Sequence, residues 1–312
     1  MTKFDRTFPE CWMDMLTNLA KKSGWWRDLL DYRFEGADGE KHRLVLAVRD
    51  GYLNAYVEGQ SILKIKFDKA VKPSCLRGKI HHKYLGGAVG QKYKTFDGVN
   101  VDGNPYLPEK SLGEWVERAQ KFAKLDSGRG EFSEKQGVAV IAGRNSHVID
   151  LEMALPGLVA PRIDIVALER AGSSINIVFY EAKLFGNSAL RARDVKPKVL
   201  DQLDKYETWL TSENRTGEVV EAYREACRLL IKLRSMQCVL VDALIEEASM
   251  ANSLLVVDPK PRLIIFGAQT SKGWPPHESV LHRAGIIDSR LIIRDHPKDV
   301  ELPKARMMNP AR

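Results

Sequence analysis

Arg162-Ile163-Asp164-Ile165-Val166-Ala167-Leu168 and Ile175-Asn176-Ile177-Val178-Phe179-Tyr180-Glu181-Ala182-Lys183 flank the short stretch Ala171-Gly172-Ser173-Ser174. Both flanks are rich in β-branched and aromatic residues and read as strands. Gly172-Ser173 suits a two-residue hairpin turn with glycine in the first central position. That turn sets Asp164 directly opposite Glu181, with Cβ atoms about 5 Å apart on one sheet face. Lys183, two residues beyond Glu181, points to the same face.

Two opposed carboxylates repel unless one is protonated, a cation separates them, or they share a divalent ion. Lys183 is one such cation. Mg²⁺ or Mn²⁺, held by one or two carboxylates with water and substrate phosphate, is another. The competing reading is a surface ladder of mixed charges, the commoner fate of Asp, Glu and Lys on strands. Ile177 and Phe179 argue against it. They share the face of Glu181 and Lys183, so the charges end an apolar row, as at the rim of a pocket.

Asp164, sixteen residues, then Glu181-Ala182-Lys183 resembles the D…ExK signature of the PD-(D/E)xK nuclease superfamily. Beyond it, Gln202-Leu203-Asp204-Lys205-Tyr206 is similar to the QxxxY element of the RecB-like nucleases within that superfamily. The resemblance covers roughly residues 130–270 and leaves out the first hundred. It implies a restriction-endonuclease-like α/β core, a mixed sheet flanked by helices. It implies Mg²⁺ or Mn²⁺ bound by Asp164, Glu181 and the Ala182 backbone carbonyl, with Glu134 or Glu152 as a further acidic ligand. Lys183 then orients the attacking water or stabilises transition-state charge, and Gln202 and Tyr206 support substrate binding. Tyr206 packed in the core, with Gln202 at its edge, is the equal alternative. DNA is the implied substrate more often than RNA. Endonuclease is the plainer expectation, and a non-cleaving nucleic-acid-binding protein on the same fold is the alternative.

The length of 312 residues fits two domains, and 44% hydrophobic with 29% charged residues fits a folded core. We expect an N-terminal α+β domain over 1–110, a nuclease-like domain over 111–297 and a loosely ordered tail over 298–312. No apolar run is long enough for a membrane span. Cys11, Cys75, Cys227 and Cys238 form no CxxC pair, so the expectation is a reduced, cytoplasmic setting without structural zinc.

The net charge of +7 is uneven. Between Lys64 and Lys94 stand nine Lys or Arg and one acid, Asp68. Such a cluster favours a polyanion, most simply nucleic acid, over a bare solvated face. Lys79, Lys83, Lys92 and Lys94 are the candidate substrate contacts there. A protein partner or a homo-oligomer is the alternative use of this domain. Arg191 and Arg193, just past Lys183, lie where a phosphate backbone would run.

Elsewhere the spacing predicts one or two helices over Cys11 to Asp31, broken at Ser23-Gly24, with Trp25 and Trp26 in the core. Strands are predicted on both sides of Arg49-Asp50-Gly51 and over Ser61 to Phe67, with Lys64 and Lys66 on its solvated side. Asp97 to Pro108 reads as a loop. Ser111 and Glu114 read as a capping box for a helix to Leu125, and a second helix runs to about Ala142. Leu254 to Gly267 reads as two strands around a tight loop. We also expect Lys183→Ala to abolish cleavage with folding and DNA affinity nearly intact.

Overall fold

Arg162–Ala171 and Ser174–Leu184 form the hairpin, pairing Ile165 with Tyr180, Val166 with Phe179 and Ala171 with Ser174. Gly172 has φ 62°, a left-handed value that glycine adopts without a Cβ penalty. Asp164 and Glu181 follow at the open end of this ladder, where Asp164 Oδ2 accepts a 2.8 Å hydrogen bond from Ala182 N. The computed structural model describes residues 3–68, 75–87, 93–101, 103–125, 131–157, 162–191, 196–212, 214–267 and 274–305.

The chain begins with α1 (Glu10–Leu19) and α2 (Trp25–Asp31), separated at Gly24, whose φ is 141°. Trp26 is buried with Nε1 donating to Leu16 O, and Trp25 packs 4.9 Å from the Phe96 ring. A small ribbon follows, β1 (Arg33–Glu35) with β2 (Lys41–Arg43). Then come β3 (Val45–Arg49), β4 (Tyr52–Val57), β5 (Gln60–Asp68), β6 (Cys75–His81), β7 (Tyr93–Phe96), β8 (Asn100–Val101) and β9 (Asn104–Pro105). These make a seven-stranded antiparallel sheet in chain order. The stretch expected to be a loop after Asp97 thus holds two short strands, whose cross-strand partners its Gly, Asn and Pro content conceals.

Helix α3 (Lys110–Leu125) starts one residue before the expected cap. Ser111 Oγ accepts from Leu107 N instead, so the Ser111–Glu114 box does not form. The box forms at α4 (Glu134–Arg144), where Ser133 Oγ accepts from Gln136 N and Gln136 Oε1 accepts from Ser133 N. On this helix Gly137 is required by close approach, because a Cβ there would meet the Phe266 ring at 2.2 Å.

The second sheet joins β10 (Val148–Ala154) to the hairpin strands β11 (Arg162–Ala171) and β12 (Ser174–Leu184). Helices α5 (Lys198–Thr211), α6 (Arg215–Met236) and α7 (Ala243–Ala248) intervene before β13 (Leu255–Val257) and β14 (Arg262–Phe266). After α8 (Pro275–Arg283) comes β15 (Leu291–Arg294). The order is β10-β11-β12-β14-β15, antiparallel in its first three strands and parallel thereafter. Strands β13 and β14 do not pair as a hairpin. Both run parallel to β12, against Ile175–Ile177 and Tyr180–Leu184 in turn.

The protein is therefore mixed α/β, with a mixed sheet and an antiparallel one. One apolar cluster lies on the face of β12 that carries Ile177 and Phe179, and it takes in α5, α6 and residues of the first sheet. A second, with Val178, Tyr180 and Ala182, lies between the sheet and α4. The tail joins this second cluster: Val300 and Leu302 are buried, and Asn145 bonds both Val300 O and Leu302 N. The expected loose order from 298 is corrected up to Ala305, because two apolar side chains and a backbone bridge to Arg170 hold it. Residues 306–312 lie outside the described residues. No helix among the described residues is long and apolar enough to cross a membrane.

A buried ionic cluster joins the two sheets. Asp150 on β10 accepts from Arg6 at 2.9 and 3.0 Å, from Arg49 at 2.5 Å and from the Tyr223 hydroxyl at 3.0 Å. Burial alone would raise this carboxyl, but Arg49 and Arg6 hold it below its ordinary value. Removing one member of such a buried set strands the others, at about 3–5 kcal/mol.

His147, between α4 and β10, is fully buried, and neither ring nitrogen has a hydrogen-bond partner among the described residues. Burial pushes its pKa down to about 4; Asp242 opposes this, and Lys304 and Arg234 reinforce it. Between pH 4 and the unfolded value near 6.5 the unfolded chain takes up a proton that the folded chain refuses. Stability is thus complete above about 6.5 and falls towards pH 4, by about 3 kcal/mol. His147→Leu should match or exceed the parent in urea denaturation at pH 7 and lose this acid-side decline. An unchanged decline would show that His147 is not its source.

Candidate active site

Strand β12 is buried on both faces, so each charge it carries needs a partner nearby. Glu181 is 1% exposed and Lys183 6%. Glu181 Oε1 accepts from Lys183 Nζ at 2.5 Å and from Gln202 Nε2 at 3.1 Å. The Tyr206 hydroxyl lies 2.9 Å from both Glu181 Oε2 and the Arg162 carbonyl oxygen, and its one proton serves one of them at a time. Gln202 and Tyr206 stand one turn apart on α5, which brings both to the same carboxylate. Tyr206 is packed in the core, as one of the two sequence readings has it, and its hydroxyl reaches Glu181.

The Lys183 ammonium donates to three oxygens, Glu181 Oε1, Glu134 Oε1 at 2.9 Å and Ala182 O at 3.2 Å. Glu134 is the first residue of α4, where the helix dipole favours an anion. Its Oε2 accepts from Asn187 Nδ2 at 2.7 Å. Asn187 escaped sequence reading, since only folding brings it to a residue on α4. Glu152 sits at φ 52° within β10, an uncommon backbone state for a non-glycine residue, and pairs with Arg162 at 3.7 Å.

Glu134, Glu152, Asp164, Glu181, Lys183 and Gln202 line one open pocket of about 360 Å³. Burial and then the Glu181 carboxylate push Asp164 well above the usual carboxylate range, against Lys183 and the Ala182 N–H. Burial also raises Glu181, although Lys183 and Tyr206 oppose it. Burial would lower Lys183, yet Glu181, Asp164 and Glu134 outweigh it and hold the ammonium charged.

Among the described residues, no group of three or more His, Cys, Asp or Glu side chains is disposed to hold a metal ion. The oxygens on offer are two opposed carboxylates and a backbone carbonyl. Glu181 Oε1 and Ala182 O already converge on one cation, the Lys183 ammonium. That hard-oxygen set suits Mg²⁺ or Mn²⁺ completed by water and phosphate.

The other candidates lie apart. Arg191 donates to Phe185 O and stacks over Phe185 and Trp274. Lys83 reaches Gln60 and the rings of Tyr84 and Phe122. Lys79 and Lys94 are on the first sheet, at alternate positions across from Thr95 and Ile80, and so on opposite faces. Lys92 and Arg193 lie outside the described residues. Compared with protein-family models, curated proteins and solved structures, the chain matches none.

Lys183→Ala is not a silent truncation in this setting. It leaves Glu181 buried without its cation and should lower stability by about 3–5 kcal/mol in urea denaturation. Lys183→Met combined with Glu181→Gln, which removes both charges, should recover most of that loss. Equal losses for the single and double variants would contradict the pairing.

Proposed function

We propose that this chain is a metal-dependent nuclease of the PD-(D/E)xK type, cutting phosphodiester bonds in DNA, most plainly as an endonuclease. The observation that carries the reading is one open pocket lined by Glu134, Glu152, Asp164 and Glu181 against Lys135, Arg162 and Lys183, with the Lys183 ammonium paired to Glu134 and Glu181. Opposed carboxylates such as Asp164 and Glu181 oppose folding stability unless a proton or a ligand answers them. The mixed sheet flanked by helices supports the same reading.

Asp164, Glu181 and the Ala182 carbonyl would hold the ion. The chemistry that Mg²⁺ or Mn²⁺ supplies when bound is a water activated near neutral pH and a polarised phosphate. Gln202 and Tyr206 keep the Glu181 carboxylate oriented. Lys183 steadies negative charge that builds on the phosphate. Arg162, at the rim, attracts the strand. One observation favours a non-cleaving nucleic-acid-binding protein instead: the three donors of Lys183 are all engaged with the oxygens that would take the ion.

The test uses plasmid, linear and single-stranded DNA, and RNA, each with Mg²⁺, Mn²⁺ or EDTA. Cleavage of DNA should need the ion. Asp164→Asn keeps an oxygen for the Ala182 N–H but relieves repulsion. It should be as stable as the parent or about 1–2 kcal/mol more so without metal, and inactive. Cleavage at the parental rate by Asp164→Asn, or cleavage in EDTA, would remove the assignment. Metal-independent DNA binding with no cleavage would favour the second reading.

A further inference from the structure

The first sheet places like charges directly against each other. Lys64 on β5 pairs with Lys79 on β6, and Lys66 with Arg77. Because opposed side chains share a face, all four cations project from one side of the sheet, in two rows about 7 Å apart along the strands. Directly opposed like charges destabilise a sheet. Lys64 and Lys66 are half-buried and Lys79 is exposed, and none of these three has an acidic partner among the described residues. Arg77 has Asp97 at 3.9 Å. Burial, with the neighbouring Lys66 and Lys79, pushes Lys64 below its ordinary value.

Aromatic rings lie among the cations. The Lys64 ammonium sits 3.5 Å from the Tyr52 ring centroid. Tyr93, paired across the strands with His81, is 54% exposed. Burial raises the Tyr52 phenol, while Arg49, Arg6 and Arg162 lie close enough to act against it. Tyr52 pairs across the strands with Arg49, whose guanidinium donates to Leu151 O. The next residue, Glu152, pairs with Arg162 at 3.7 Å in the wall of the acidic pocket, so the face leads from Lys79 and Lys64 through Tyr52 towards that pocket.

We propose that this face of the first sheet binds a single-stranded polynucleotide and leads it to the pocket at Asp164 and Glu181. The pocket's part in this rests on the nuclease reading; the binding face does not. The cations lie on the broad face of a seven-stranded sheet rather than on a helix or a lone two-stranded ribbon of the kind a duplex groove admits, whereas exposed Tyr93 among those cations suits an unstacked base and its phosphates. The residues concerned are Lys64, Lys66, Arg77 and Lys79, rather than the Lys83 and Lys94 positions expected from charge density alone.

The experiment is fluorescence anisotropy of the full chain in EDTA, over a salt series, with a labelled oligothymidylate, a duplex and polyglutamate as competitor. Single strands should bind more tightly than the duplex, and polyglutamate should compete poorly. Each phosphate contact contributes about 0.7 to the slope of log affinity against log salt. Lys64→Gln with Lys79→Gln should thus flatten the slope by about 1.4. Tyr93→Ala should weaken binding about fivefold or more. Lys121→Glu with Lys124→Glu, on α3, changes more charge away from this face and should matter less. A greater loss from that control, a preference for duplex, or full competition by polyglutamate would overturn the proposal. If single strands bind as expected and nothing is cut with Mg²⁺ or Mn²⁺, the nuclease reading fails alone. If DNA is cut and the Lys64–Lys79 pair is irrelevant to binding, this proposal fails alone.

Discussion

A charge on a strand buried on both faces must be answered within a few ångströms, and β12 carries two. Glu181 and Lys183 answer each other at 2.5 Å, and much of the local architecture follows from what each still needs. Glu181 has further acceptor capacity, which Gln202 and Tyr206 on α5 fill. Lys183 has two further donors, which Glu134 on α4 and the Ala182 carbonyl take. Helices on the two sides of the sheet are thereby tied to one strand end. Asp164 is the member left over, raised by burial and by Glu181.

The second constraint is at Asp150, where the N-terminal segment, the first sheet and α6 meet β10 through Arg6, Arg49 and Tyr223. Arg49 also donates to Tyr56 and to Leu151 O, so the outer face of the first sheet is anchored on the second. This anchoring sets Tyr52, the cross-strand partner of Arg49, near β10, whose Glu152 pairs with Arg162.

The hairpin was legible because its information is local. A two-residue turn and strict alternation set which residues oppose one another, and a one-residue slip would have sent Ile177 and Phe179 to the wrong face. The α5 stripe of Val199, Leu203, Tyr206 and Leu210 was legible for the same reason, since helical spacing is a property of neighbours. The Ser111 cap was misread because α3 begins one residue earlier, at Lys110, and Ser111 Oγ accepts from Leu107 N. The basic stretch was legible as charge but not as a surface: alternation separates Lys79 from Lys94, and the pairing of β5 with β6 selects Lys64, Lys66 and Arg77.

By itself the sequence determined the strand pairing around Gly172, the shared face of Asp164, Glu181 and Lys183, and the shared face of Gln202 and Tyr206. Each follows from turn chemistry or backbone periodicity over a few residues. Only the tertiary structure decided that Glu134 closes on Lys183 with Asn187 bonded behind it, and that Asp150 joins the sheets. It also decided that β13 and β14 line up along β12 and that the tail through Ala305 packs under the mixed sheet. Those contacts join residues tens to hundreds of positions apart. Their partners are chosen by which buried groups are left unsatisfied once the local elements have formed, and no local pattern records that choice.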